Sequence, residues 1–422
     1  MHTHLAERTD TTMDHIQTET VRLVEWLSQF GNDPNGGVSR LLYSKEWTAA
    51  QKALEQCMKE EGFITYYDEI GNLYGRLEGS LYPEETIMSG SHVDTVRNGG
   101  KYDGQYGIIG ALLAMKTLKQ KHGQPLRNLE VVSFAEEEGS RFPFTFWGSK
   151  NLAGTANKED VQNIADFQGV RFVEAMEQAG FQFPDSKTEK RSDIQAFVEL
   201  HIEQGSVLEH EGLPVGVVHS IVGQRRFTIE LSGEANHAGT TPMGYRKDAV
   251  HAAGRMIQQI LDLAQAHGDP LVTTVGKIEV KPNVVNVVPG SALFTLDIRH
   301  TDKSALVRFS DEVTELMERT ARAIGVELKI EMWMDEDPVP MDPRILDVLE
   351  RQCEKHGIPF KLMHSGAGHD SQIMAKFVPT AMLFVPSRKG ISHNPAEYTS
   401  PEHLAAGVQA LTHALYELAY EA

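Results

Sequence analysis

Residues 129–138 read LEVVSFAEEE, an almost unbroken apolar run ending in three carboxylates. A run of this length and composition suits a strand buried on both faces, as in a parallel sheet covered by helices. On its N-terminal side, 73–77 and 86–91 are strand segments. Residues 104–122 carry Ile108, Ile109, Leu112, Met115 and Leu118 at helical spacing. Two amphipathic helices come earlier, 15–30 (Ile16, Val21, Leu23, Leu27, Phe30) and 45–62. Alternating strands and helices indicate an α/β layer structure.

The pattern changes in the middle of the chain. RRFTIELS at 225–232 is a strand, 246–267 a helix, 271–280 and 292–300 two strands, 302–324 a helix and 326–333 a strand. This β-α-β-β-α-β order is the split βαβ, or ferredoxin-like, pattern. Loop-like EHEGLPVG (209–216) and MDEDPVPMDP (334–343) flank it, and the α/β pattern resumes with helix 345–356, strand 380–385 and helix 401–420. The expectation is a discontinuous α/β domain, 1–216 with 334–422, carrying an inserted α+β domain at 217–333.

The chain has 422 residues, 40 basic against 59 acidic side chains, and a formal charge of −19. That balance disfavours nucleic acid or an anionic membrane as partner but leaves room for a small anionic substrate. The two cysteines, Cys57 and Cys353, form no disulfide framework and fit a reducing cytoplasm. No run approaches the ~20 apolar residues of a membrane span. The polar start MHTHLAERTDTTMDH lacks a signal peptide's apolar stretch and is expected to be a frayed lead-in.

Five metal-ligand residue types follow strand-like runs or open a helix. TIMSGSH ends at His92, LEVVSFAEEE at Glu138, AFVELH at His201, and TAMLFVPSRKGISH reaches His393; Asp103 begins the helical stretch after the first. Residues just past the carboxyl ends of strands in an open α/β sheet converge on one crevice. Imidazoles and carboxylates, one able to bridge, suit a pair of divalent ions. Each residue also has an ordinary reading. Asp103 can be an N-cap, with Gly99, Gly100 and Gly104 as loop punctuation. Glu136–Glu138 can be a solvated turn, His201 a core histidine, and His393 part of a surface loop. Asp94 is placed to accept the second ring proton of His92. Because side chains alternate at a strand end, one glutamate can bind metal while its neighbour acts as general base. In the inserted domain, His237 and Asn286 are candidate oxyanion donors and Arg299 a candidate carboxylate clamp. The alternative is turn chemistry for the asparagine and a surface cation for the arginine. No Gly-x-Ser-x-Gly elbow follows a strand, and neither cysteine has a histidine near it in sequence, so serine and cysteine nucleophiles are disfavoured.

Taken together, SGSHVDTV, GGKYDGQYG, AEEEGSRF, ELHIEQG, NHAGTTPM, NVVNVVPG, SGAGHDSQ and ISHNPAE resemble the amidohydrolase branch of the M20 metallopeptidase family. The resemblance runs from FGNDPNGGVSRLLYS at 30–44 to the last helix. It implies two metals bridged by Asp103, with His92 and His201 completing one site and Glu138 and His393 the other. It implies Glu137 as general base, and substrate contacts from His237, Asn286 and Arg299, reaching the partner subunit's active site. Further contacts are implied from Gly366, Ala367, Gly368 and His369, and from Gln224 and Gln204. The implied fold is a dimetal-peptidase-like catalytic domain with an inserted ferredoxin-like dimerisation and lid domain, in a homodimer. RLLYSKEW, FPFTFWGSKN, VGQRRF and GISHNPAE are most similar to bacterial members of the branch that hydrolyse allantoate. This implies release of ureidoglycine, ammonia and carbon dioxide from a small ureido carboxylate. Hydrolysis of an N-carbamoyl-L-amino acid or a ureidopropionate is the alternative. Manganese is the metal the bacterial relatives imply, with zinc or cobalt compatible with the same ligands.

Overall fold

The computed structural model of the protein describes residues 3–183 and 190–422, with side chains from Met13 onward. The chain divides into two compact units, one built from 1–219 and 341–422, the other from 220–340.

The strands of the first unit are β1 (Ile64–Tyr67), β2 (Leu73–Leu77), β3 (Tyr82–His92), β4 (Arg127–Phe134), β5 (Ile194–Ile202) and β6 (Val215–Ile221), which ends just across the boundary. The second unit holds β7 (Gly223–Ser232), β8 (Asn236–His237), β9 (Val272–Thr274), β10 (Ile278–Lys281), β11 (Val287–Val288), β12 (Ser291–His300), β13 (Glu327–Glu336) and β14 (Val339–Pro340). The chain returns to the first unit with β15 (Phe360–Ser365) and β16 (Thr380–Val385).

The main sheet runs β1-β2-β4-β3-β5-β16-β6, with β15 beside β6. Its centre is parallel: β3 pairs in parallel with β4 and β5, and β5 with β16. The apolar run at 129–135 is therefore a central strand, and Leu129, Val131, Val132 and Phe134 are fully buried. The helices Gln105–His122 and Pro401–Tyr420 pack on each other and against these strands. The first helix runs Thr3–Ser28, beginning well before residue 15, so the expected frayed lead-in is helical backbone from Thr3; Met1 and His2 lie outside the described residues. Sequence periodicity also passed over β1, β6 and β15. Each is short or sits at the sheet's flank, and 209–216, read as loop, holds the helix Val207–Glu211 and the start of β6.

In the second unit the order β7, helix Ala249–His267, β10, β12, helix Lys303–Ile324, β13 gives a sheet ordered β10-β12-β7-β13, with every pairing antiparallel. The expected single strand over 271–280 is two pieces, β9 and β10, both paired with β12 and broken around Gly276. A glycine inside a strand is a common site of such a break. Burial alternates along β12: Ala292, Phe294, Leu296 and Ile298 point into the core, while the residues between them are partly exposed. This one-sided sheet buries its apolar face against the helices through Phe227, Ile229, Leu231, Met256, Ile260, Phe309, Val313 and Met317. Both helices have aspartate N-caps: Asp248 accepts from Val250 and His251, and Asp302 from Ala305. Among the described residues no helix is long and apolar enough to cross a membrane.

The alternation predicts a stability contrast. Phe294→Ala, in the core of this unit, is expected to cost about 3–5 kcal/mol. Thr295→Ala, on the opposite face, is expected to stay near about 0.5 kcal/mol. Chemical denaturation of the two variants measures the difference.

Candidate metal centre

The parallel strands end together, and their carboxyl ends carry the site. His92 is the last residue of β3, His201 the penultimate residue of β5, and Glu136–Glu138 follow β4 within four residues. The chain after β16 leads to His393. Asp103 stands two residues before the helix Gln105–His122, and Gly104 occupies the N-cap position with φ +64°. The ordinary reading of Asp103 as a cap therefore fails, and its carboxylate is directed to histidines instead.

Its two oxygens face two different sets. Oδ1 lies 3.3 Å from His92 Nε2 and 3.2 Å from His201 Nε2. Oδ2 lies 3.3 Å from His393 Nε2, which is 3.6 Å from Glu138 Oε2. Three clusters of ligand-type atoms, each within 4.8 Å, result: His92–Asp103–His201, Asp103–Glu138–His393 and His92–Glu137–Glu138. An ion with bonds of about 2.0–2.2 Å needs neighbouring ligand atoms roughly 3–3.5 Å apart, which is the spacing found. One Glu138 oxygen, Oε1, is buried with no hydrogen-bond partner. The residues present fit divalent ions.

Neighbouring groups orient these side chains. His201 Nδ1 is 2.9 Å from the Ile202 carbonyl, which fixes the ring proton there and leaves Nε2, beside Asp103, as an acceptor that meets the Gly104 N–H at 3.2 Å. His92 Nδ1 does the same with the Asp94 carbonyl at 3.1 Å and the Asp94 carboxylate at 3.2 Å. The Asp94 carboxylate also accepts the backbone N–H groups of Glu137 (3.0 Å) and Glu138 (3.3 Å). One side chain thus couples the β3 end to the β4 end. Glu136 is no solvated turn residue: it is 2% exposed and accepts from Gly139 and from Trp147 N–H. Gln204 donates to Asp103 Oδ2 at 2.7 Å. Gln204 and His393, both beside Asp103, take left-handed φ values (56° and 53°), unusual for side-chain-bearing residues.

The electrostatics follow from burial. Desolvation drives Glu137 well above the usual carboxylate range; the nearby His92 opposes that shift and Glu138 adds to it. Burial, then Asp103, raises Glu138 to about 8. Burial works against protonation of His92, but the Asp103 and Asp94 carboxylates outweigh it and hold the ring well above its ordinary value. Asp103, although buried, is held well below its range by hydrogen bonds to His201, His393 and His92.

His369 is buried, 4.6 Å ring to ring from His201, with Nε2 3.0 Å from Ser365 Oγ. Burial, then the charge of His201, keeps its pKa well below the ordinary histidine value. Gly366, Ala367 and Gly368 form the turn between β15 and His369, closed by Ser365 Oγ with Ala367 N–H and C=O. In the second unit, His237 on β8 pairs with Val287 on β11, and Ala238 N–H donates to the Asn286 carbonyl. His237 Nδ1 accepts from Gly239 (3.1 Å) and Thr240 (3.2 Å), so the ring proton is on Nε2 and that atom is a donor. Arg299 is opposite Gln224 across β12 and β7, and Asp297 grips its guanidinium with bonds of 3.0 and 2.9 Å. Sequence reading gave no role to Ser392, Glu397 or Glu199. Glu397 lies inside the quoted ISHNPAE, but an acid near a proline looks like any surface turn until its burial is seen.

The site and fold define a metal-hydrolase architecture, and comparison with known proteins agrees. Residues 88–417 match the model of peptidase family M20/M25/M40, and the chain belongs to that family and is an enzyme of it. It is 52% identical over 407 residues to an allantoate amidohydrolase of Escherichia coli (strain K12), covering 96% of this chain and 99% of that protein. It is 47% identical to an allantoate amidohydrolase of Bacillus subtilis (strain 168), covering 96% and 98%. Among solved structures, an amidase of the hydantoinase/carbamoylase family from Burkholderia multivorans superposes with a TM-score of 0.92 at 34% identity, covering 96% of this chain and 98% of that one.

Gly104 offers a local test. A Cβ there would fall 2.4 Å from His92 Cε1 on a backbone with φ +64°. Gly104→Ala is expected to destabilise by more than about 1 kcal/mol and to displace the His92 ring. Thermal unfolding together with metal content after dialysis reads both effects.

Proposed function

We propose that the protein is an allantoate amidohydrolase that works with two divalent ions. The observation that carries the metal reading is Asp103, whose two oxygens face separate His/His and His/Glu sets. The identity to the Escherichia coli and Bacillus subtilis proteins supports the substrate. His92 and His201 would hold one ion, Glu138 and His393 the other, with Asp103 between them. When bound, the ions supply Lewis-acid polarisation of the ureido carbonyl and acidify the attacking water. Nitrogen and oxygen donors without thiolate suit Mn²⁺, our first assignment, and also Zn²⁺ or Co²⁺.

Glu137 does the proton work as a carboxylate, since bound cations would offset the burial that otherwise favours its protonated form. It takes a proton from the water as the water attacks the ureido carbonyl, and delivers it to the departing nitrogen. The terminal C–N bond breaks, ammonia leaves, and the carbamate that remains loses carbon dioxide to give ureidoglycine. His237, through its Nε2–H, and Asn286 stabilise the oxyanion. Arg299 holds the substrate carboxylate, in exchange for part of its pairing with Asp297. Gln224, the cross-strand partner of Arg299, would assist. Gly366, Ala367, Gly368 and His369 line the substrate side of the catalytic unit. Gln204, bonded to Asp103, completes the contacts.

These donors support a homodimer. Arg299 and Gln224 sit near one end of the β7–β12 ladder, while His237 and Asn286 lie beyond its other end, past the Ser291–Ser232 pair. Eight residues separate Arg299 from Ser291, roughly 27 Å at about 3.4 Å per residue. That length of strand favours a reading in which a second copy of the unit contributes part of the donor set. The unit 220–340 would then be both dimerisation domain and lid. The free Cys57 and Cys353 accord with a cytoplasmic setting.

Ammonia release tests the reading, with metal-stripped and Mn²⁺-reconstituted protein given allantoate and an N-carbamoyl-L-amino acid in parallel. Manganese-dependent release from allantoate alone is expected; release from the carbamoyl amino acid instead would reassign the substrate and keep the machinery. Glu137→Gln is expected to lower kcat by roughly 10²–10⁴-fold with metal content unchanged. Arg299→Ala is expected to raise KM for allantoate by roughly 10–100-fold, the value of a charge-assisted pair. An unchanged KM would mean the carboxylate is held elsewhere.

A further inference from the structure

We propose that Glu397 is the positioning residue that fixes Asp103 against His393 and so sets the affinity of the Asp103–Glu138–His393 site. This rests on the metal reading above and adds a residue to it.

The geometry makes Glu397 a tether between two distant segments. Its Oε1 accepts the backbone N–H groups of Tyr102 (2.9 Å) and Asp103 (3.2 Å). Its Oε2 lies 2.8 Å from the Ser392 hydroxyl. The same hydroxyl lies 3.0 Å from Asp103 Oδ2. A serine has one proton to give, so the Ser392 hydroxyl donates to Glu397 Oε2 or to Asp103 Oδ2 and in either case ties the two carboxylates to one oxygen. Both Glu397 oxygens are thus engaged, and the residue lies outside every ligand cluster found among the described residues.

The surroundings are built to admit this carboxylate. Glu397 is 4% exposed. It approaches Gly100 so closely that a Cβ there would fall 2.0 Å from Oε1. Gly100 is therefore more than loop punctuation: any side chain would expel the tether. On its far side the glycine loop is held by reciprocal backbone bonds between Val38 and Gly99. Among the described residues no other acceptor meets the Tyr102 or Asp103 N–H, so removing the carboxylate strands two buried donors, which is costly. His393 most needs such support. It sits in a left-handed conformation, and its side chain is 49% exposed, whereas His92 and His201 are enclosed at the strand ends.

Calorimetric titration of Mn²⁺ into the metal-stripped full-length protein tests this, alongside Glu397→Ala, Glu397→Gln and Glu397→Asp. The wild type is expected to take up two ions. In Glu397→Ala one of the two is expected to bind roughly 10–100-fold more weakly and the other nearly unchanged, while the unfolding temperature of the metal-free protein falls because two buried N–H donors lose their acceptor. Glu397→Gln keeps an acceptor for the two N–H groups and should rescue part of the loss; Glu397→Asp, too short to span the gap, should not. Uptake in Glu397→Ala matching the wild type at both sites overturns the proposal. Should that variant fail to fold, Glu397→Asp decides: wild-type uptake overturns the proposal, and selective weakening of one site supports it. A wild type that takes up no Mn²⁺ overturns the metal centre itself and the tether with it, an outcome distinct from two intact sites in the variants.

Discussion

Buried negative charge is the constraint around which the catalytic unit is organised. Asp94, Asp103, Glu136, Glu199, Asp370 and Glu397 are all buried at or near one edge of the central sheet, with Glu137 and Glu138 beside them. Removing carboxylates from water without compensation is among the largest costs a fold can carry. Some are answered locally: Glu136 by backbone donors, Glu199 by Ser91 and by the N–H and hydroxyl of Ser371, Asp94 by two backbone N–H groups and a histidine. Others are not. Both oxygens of Asp370 and one of Glu138 are buried with no hydrogen-bond partner. Burial leaves Glu137 and Asp370 pushed far toward their neutral forms. Divalent cations are the economical answer to such a surplus, because one ion compensates several carboxylates at once.

The parallel strands explain why that charge gathers at one place. Parallel ladders align the carboxyl ends of β3, β4, β5 and β16, so residues remote in sequence arrive at one edge. Past the end of β4 strict alternation lapses: Glu136 turns back to accept from the following loop, while the adjacent Glu137 and Glu138 both join His92. The second unit obeys a different rule. Its sheet is antiparallel and buried on one face only, leaving a polar face and two ends for function. Its polar residues divide between those ends.

His92, Glu138, His201 and His393 were legible as candidates because each follows an apolar run, and Asp103 because it opens a helical stretch; the structure brings all five into the candidate metal clusters. The tether residues were not legible. Glu397 and Ser392 act on Asp103 across nearly 300 residues of sequence, and no periodicity encodes that. Gly100 and Gly104 looked like ordinary turn glycines; only the atoms opposite their α-carbons, Glu397 and the His92 ring, reveal why a methyl group is excluded. The strand over 271–280 was read as continuous because its apolar residues run on through the break, which only the pairing with β12 exposes.

The sequence by itself determined the α/β class, the βαββαβ order of the second unit, and the residue types available for chemistry. These depend on short-range patterns: side-chain period, capping residues and apolar runs. The tertiary structure alone decided which oxygen of Asp103 faces which histidines, which ring nitrogen of His92, His201 and His237 carries the proton, and which acid is a tether. Those are matters of direction and separation across long-range contacts, fixed by burial and hydrogen bonding among segments that are strangers in sequence.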